Sequence, residues 1–136
     1  MQLVIAPDAL AAARVWLKRH LPDVKVLGER PVKLPDRFVI LRETGGGSMK
    51  AKVIAPFYFT VEVWDDGTVK ASELARKVAA IFDAWEGVEA YTCQSTSPVY
   101  NPDLETRRAR YTFAVDGTLR GTVVNESIHE PEGDNQ

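Results

Sequence analysis

Cysteine is almost absent from this 136-residue sequence: Cys93 stands alone. A single thiol forms no intrachain disulfide and no cysteine-rich metal site, and nothing points to an oxidising compartment. The expected role of Cys93 is that of a small residue packed in a strand. Histidine is nearly as scarce, with only His20 and His129. The sequence holds no His-Glu-x-x-His, no Gly-x-Ser-x-Gly and no paired cysteines, so neither a zinc-protease helix nor a nucleophile elbow is encoded. Long apolar runs are missing too. No stretch approaches the ~20 apolar residues of a membrane span. The apolar start, residues 3–6, is too short for a signal peptide and has no basic leader. The expectation is a soluble cytoplasmic protein that is not an enzyme, with no catalytic residues, no cofactor, no metal and no membrane partner.

What is present suits one folded core. Apolar residues make up 45% of the chain and charged residues 26%, and a chain of this length buries roughly two-thirds of its unfolded surface. The net charge of −2 hides an asymmetry. Residues 126–136 hold Glu126, Glu130, Glu132 and Asp134 and no Lys or Arg, so the rest of the chain carries +2. A weakly basic body with an acidic end is not the field of a dedicated nucleic-acid binder. The chain divides into one α+β domain over residues 1–125 and an acidic C-terminal tail over 126–136.

Periodicity sets the elements. Leu10, Ala13, Leu17 and Leu21 recur at helical spacing, so residues 8–21 read as an amphipathic helix stopped by Pro22. Residues 24–27 make a short strand, and residues 28–36, with Pro31 and Pro35, a turn-rich connector. In residues 37–43 both parities are apolar, which implies cover on both faces of that strand. From 57 to 64 Phe57, Phe59, Val61 and Val63 alternate with Tyr58, Thr60, Glu62 and Trp64. Asp65-Asp66-Gly67 reads as a turn and helix cap. Residues 69–86 form a second helix with Leu74, Val78, Ile81, Phe82 and Trp85 on one stripe, closed by Gly87. Strands follow at 90–96 and 107–115, where Asp116-Gly117 is either a hairpin turn or, as favoured here, a bulge in one strand reaching Arg120. The class expected is α+β, a mostly antiparallel sheet of four to five strands with two helices packed on one face.

Chemistry-bearing groups are few. Gly45-Gly46-Gly47-Ser48 with Lys50 looks like a phosphate loop, but Ala51 follows Lys50 and the next element is a strand, so the Walker pattern fails. The loop, with Lys50 and Lys52, reads instead as a hairpin tip able to reach a neighbouring subunit. Tyr58 and Trp64 share the face of their strand opposite the core, flanked by Arg42; packing against a loop or terminus and a protein interface are equally open for them, and an interface fits better than a nucleotide platform. Arg107, Arg108 and Arg110 form the one basic cluster, partly offset by Asp103 and Glu105; a solvated face is the default there, and a dock for an acidic partner the sharper alternative. Gly45, Gly46, Gly47, Lys50, Lys52, Arg42, Tyr58, Trp64, Arg107, Arg108 and Arg110 are therefore the candidate interface residues.

Several short stretches occur in an order that resembles one family. Arg37-Phe38-Val39-Ile40-Leu41-Arg42, Gly45-Gly46 and Val61-Glu62-Val63-Trp64 are followed by Leu74-Ala75-Arg76, Asn101-Pro102-Asp103, Arg110-Tyr111-Thr112-Phe113 and Arg120-Gly121. Over residues 5–122 this set resembles the tail terminator proteins of long-tailed, siphovirus-type phages of actinobacteria. Asp116-Gly117 departs from the family's uninterrupted β-formers, and the acidic tail lies outside the resemblance. The resemblance implies a small α+β subunit of a hexameric ring that caps the major tail tube protein, stops its polymerisation and meets the head-closure or connector protein. Genomic DNA would pass the channel without sequence-specific binding. The implied location is the head–tail junction of the virion, and the host cytoplasm during assembly. Two alternatives stand beside it: a head-closure ring protein, and a monomeric α+β domain that binds a ligand or RNA through Tyr58 and Trp64.

Overall fold

The computed structural model describes residues 1–50 and 53–126. In chain order these form β1 (Gln2–Ile5), α1 (Ala9–His20), β2 (Lys25–Leu27), β3 (Phe38–Gly45), β4 (Ile54–Asp65), α2 (Thr68–Asp83), β5 (Thr92–Ser95), β6 (Val99–Tyr100), β7 (Ala109–Arg120) and β8 (Thr122–Asn125). The main sheet runs β2-β3-β4-β7-β5, with β6 also paired to β7. Only β2 and β3 are parallel. The mostly antiparallel α+β architecture is the expected one. The sheet has six strands rather than four to five, because β6 adds two residues beside β5 on the same edge of β7.

Both helices lie on one face. Alternation along β4 points Phe57, Phe59, Val61 and Val63 at α1 and α2, and all four are buried. Leu74, Ala75, Val78 and Phe82 come from the α2 stripe, Ala13, Trp16 and Leu17 from α1, and Phe113 and Val115 from β7. Trp85 packs against both Phe57 and Phe82, with ring centroids 5.6 and 6.3 Å away. The helices are tied directly, since the Trp16 indole N–H donates to the Ile81 carbonyl at 2.8 Å.

Helix ends differ in how they are made. Asp8 accepts from the Ala11 N–H at 3.0 Å and caps α1 as expected. At α2 neither aspartate of the preceding turn caps: Gly67 occupies the N-cap at φ +98°, a conformation only glycine adopts readily, and no side chain bonds the helix end. Asp65 is buried and faces Arg37 at 3.5 Å instead. The helix stops at Asp83 with Ala84 as its C-cap, so Gly87 falls in the turn beyond rather than closing it.

Asp116-Gly117 is neither a turn nor a bulge. β4 and β7 pair without a register shift from Ile54↔Arg120 to Asp65↔Ala109. Gly117 is there for space: a Cβ would stand 2.6 Å from the Phe57 ring and collide with the Thr92 carbonyl of β5. The irregularity lies in β3, where Glu43 pairs with Phe59 and Gly45 with Tyr58, leaving Thr44 as the extra residue.

Two features were not expected. The connector 28–37 carries the chain over the face opposite the helices, as a parallel β2–β3 pair requires. There Leu34 and Leu27 cover a second apolar cluster of Phe38, Ile40 and Trp64. The chain's first and last described strands also pair with each other, β1 with β8, as a two-stranded ribbon separate from the main sheet.

Candidate interaction surface

The candidate residues do not converge on one patch. Tyr58 and Trp64 stand six residues apart on β4, about 20 Å along a strand, and the structure gives them opposite roles. Tyr58 is exposed and pairs in register with Gly45, and the Thr44 hydroxyl lies 3.4 Å from its carbonyl. Trp64, a candidate interface residue, takes the other course open to it, packing under a loop, and its exposure is 0%, which removes it from the interface set. Its ring stacks on Phe38 at 5.1 Å, and the guanidinium groups of Arg30 and Arg110 stand 5.4 and 5.2 Å from its centroid. A side chain covered in this way contacts no partner, and the proposed Tyr58–Trp64 nucleotide platform loses its larger member.

The basic cluster is also redistributed. Arg108 donates to the carbonyls of Pro35 and Asp36 at 3.1 and 2.7 Å, pinning the connector. Arg110 donates to the Asn101 carbonyl at 2.8 Å and approaches Glu62 and Asp103 at 3.8 and 3.9 Å. Arg107 alone of the three is exposed, at φ +60° in the turn before β7. Arg108 and Arg110 are therefore internal clamps rather than a free basic patch. Arg42 is spent similarly, on Glu62 at 2.9 Å.

These contacts form a chain of alternating charge that sequence reasoning missed. Glu62 accepts from Arg42 and from the Trp64 indole at 3.1 Å, and Arg110 leads on to Asp103, which Arg30 meets at 3.2 Å. Hydrogen bonds from the Thr106 hydroxyl and backbone N–H, and then the charges of Arg30 and Arg110, outweigh burial and hold the Asp103 carboxyl below the usual carboxylate range. Arg30 and Asp103 sit 73 residues apart in sequence. No local pattern reports such a pairing. The arrangement binds the connector to β4 and β7, and every carboxylate in it already faces a cation.

The glycine loop is held as well. Lys50 pairs with Ile54 through N–H···O bonds of 2.8 and 3.0 Å, and Gly46 and Gly47 pass so close to Pro56 that a Cβ on either would stand 3.2–3.3 Å from it. Gly45 ends β3, and Lys50 remains exposed. Lys52 lies outside the described residues, as do residues 127–136 of the acidic tail.

Other reactive groups are also committed to structure. Cys93 is buried beside Gly117, and burial, with Asp83, Asp116 and Glu86 nearby, pushes its thiol up to about 12. His20 meets the Trp16 carbonyl through Nδ1 at 2.9 Å and packs on the Trp16 ring. Among the described residues no three His, Cys, Asp or Glu side chains come together as metal ligands, and no helix is long and apolar enough to cross a membrane. No protein-family model matches the chain, and no curated protein matches it.

Exposed apolar side chains also lie away from these candidates. The β1–β8 ribbon exposes Ile5 and Val123, and the outer side of α1 exposes Val15 beside a groove of about 520 Å³. The sequence carried a signal for the ribbon in the apolar residues at 3–5 and 123–124, but no periodicity long enough to name two strands.

Proposed function

We propose that this chain is a structural subunit of a phage virion, a tail terminator that assembles as a hexameric ring, caps the tail tube and joins it to the head connector. The observation that carries this is the β1–β8 ribbon: a largely apolar two-stranded element that, among the described residues, leaves Ile5 and Val123 about half exposed. Two strands alone are marginal in water, so such an element belongs in contact with a neighbour. The ordered resemblance over residues 5–122 supplies the kind of neighbour. Arg42, Glu62 and Arg110 are paired across neighbouring strands and serve as fasteners of the sheet. The reading as an RNA- or ligand-binding monomer is weakened by the burial of Trp64.

The role has a simple physical form. A ring of identical subunits needs a heterologous interface, one patch meeting a different patch on the neighbour. Once closed on the last tube ring, it leaves the next tube subunit no surface to add to. Purified tail tube protein polymerising in the presence of this chain should give tubes of limited length bearing a ring at one end in electron micrographs. Tubes of unchanged, unlimited length without a terminal ring would reject the role.

A further inference from the structure

We infer that the β1–β8 ribbon of one copy, with the acidic segment that follows it, docks on the basic-rimmed groove of α1 in a second copy. This deepens the ring assembly proposed above and rests on it only for the number of subunits.

The inserted element is apolar on both faces. The register Leu3↔Val124 and Val4↔Val123 places one apolar pair on each side of the ribbon. Ile5 is 47% and Val123 51% exposed, and among the described elements the main contacts of β1 and β8 are with each other. The receiving element is apolar at its floor. Pro7, Ala11, Val15 and Leu119 line the groove, and Val15 is 59% exposed in mid-helix, where a solvated face would carry a polar residue.

Charge selects the occupant. Arg19 and Arg120 line this groove, and Arg14 and Lys18 line the adjoining one on the same helix, against the single acid Glu89. Glu89 is taken by Arg19 at 3.4 Å. Arg14 donates one bond to the Val26 carbonyl and Lys18 donates to those of Pro22 and Val24, and among the described residues neither faces a carboxylate. The occupant that fits is apolar with an acidic end. The chain carries such an element, since β8 is followed by Glu126, Glu130, Glu132 and Asp134 with no Lys or Arg among residues 126–136.

The occupant comes from another copy because the joints are short. Only residues 6–8 separate β1 from α1, and Gly121 alone separates β7 from β8. At that joint a Cβ would stand 2.6 Å from Val4 and 2.8 Å from Met49, so the turn is packed and fixed. A ribbon held this tightly beside its own groove cannot fold back into it. Each copy therefore offers one insert and one receptor, the head-to-tail arrangement that closes rings.

The test uses the full chain and two variants at exposed sites, one with Ile5→Asp and Val123→Asp in the ribbon, the other with Val15→Asp in the groove. Sedimentation should give the wild type as an assembly and each variant as a single chain, with circular dichroism and unfolding midpoints confirming that both stay folded. Mixing the variants should give pairs and nothing larger, because one intact ribbon then meets one intact groove. Added salt should weaken those pairs. Variants that keep the wild-type mass, mixtures that stay single, or a wild type that is itself a single chain would each overturn the inference. If assemblies persist in both variants, the ring reading survives through another surface. If the variants behave as expected but the wild type leaves tube length unchanged, the docking stands and the terminator role falls.

Discussion

The main sheet and the β1–β8 ribbon are built from similar residues and end in opposite states. In the sheet, Val61 and Val63 are fully buried beneath two helices; in the ribbon, Val123 is half exposed and no helix covers either face. Strand pairing is complete in both. The difference is the second layer. A strand's stability comes chiefly from what its side chains pack against, so the sheet is held from within the chain and the ribbon has to be held from outside it. The same logic separates the two faces of the sheet: α1 and α2 cover one, whereas a ten-residue connector clamped by arginines covers part of the other.

Substitutions rank these regions. Phe82→Ala removes a fully buried ring that touches Trp85 at the centre of the helical layer. It should cost about 3–5 kcal/mol in denaturant unfolding; an unchanged midpoint would break the assignment of that face. On the opposite face Arg108→Met deletes both bonds to the connector while keeping the aliphatic stem. Loss of charged hydrogen bonds of this kind costs about 1.5–3 kcal/mol, and Trp64 should become more accessible to a fluorescence quencher. Unchanged quenching would mean that Leu34 and the Arg30–Asp103 pair hold the connector without Arg108.

A smaller effect is expected from acid. The Asp103 carboxyl is more acidic in the folded chain than in the unfolded one. Its contribution is therefore complete above the ordinary carboxylate value of about 3.9 and disappears as pH falls through the lower folded value. The variant Asp103→Asn should lose that part of the pH dependence, so wild type and variant converge in stability toward the acid end. Parallel curves down to the acid limit would show that Asp103 is not held by Thr106 and the arginines. The smallest effect belongs to the ribbon. Val123→Ala in a dilute single chain should change stability by no more than about 0.5 kcal/mol, because little is buried there. A core-sized loss would show that the ribbon is packed internally after all.

Much of the helical face was legible because it follows period. The α2 stripe and the alternation of β4 each present one apolar side, and those two sides meet. The opposite face was legible only in half. Apolar residues on both parities of β3 imply cover on both sides, yet the sequence leaves open whether Trp64 packs under a loop or faces a partner. Its place beside Phe38 depends on the register Phe38↔Trp64, which no single strand reveals. The arginines misled for a related reason. Arg107, Arg108 and Arg110 look like a patch in sequence, but strand geometry and a tight turn send them to different partners, and the partners of Arg108 lie more than 70 residues away. Asp116-Gly117 leaves a hairpin turn and a bulge both open in sequence, because Asp-Gly signals either locally; here a neighbouring strand and the Phe57 ring require the glycine.

Amide hydrogen exchange, read strand by strand at two protein concentrations, probes the contrast between sheet and ribbon most directly. At assembling concentration the amides of β1 and β8 should be protected. On dilution to single chains they should exchange rapidly, while those of β4 and β7 remain as slow as before. Ribbon amides whose protection does not change with concentration would contradict the claim that a neighbouring copy holds them.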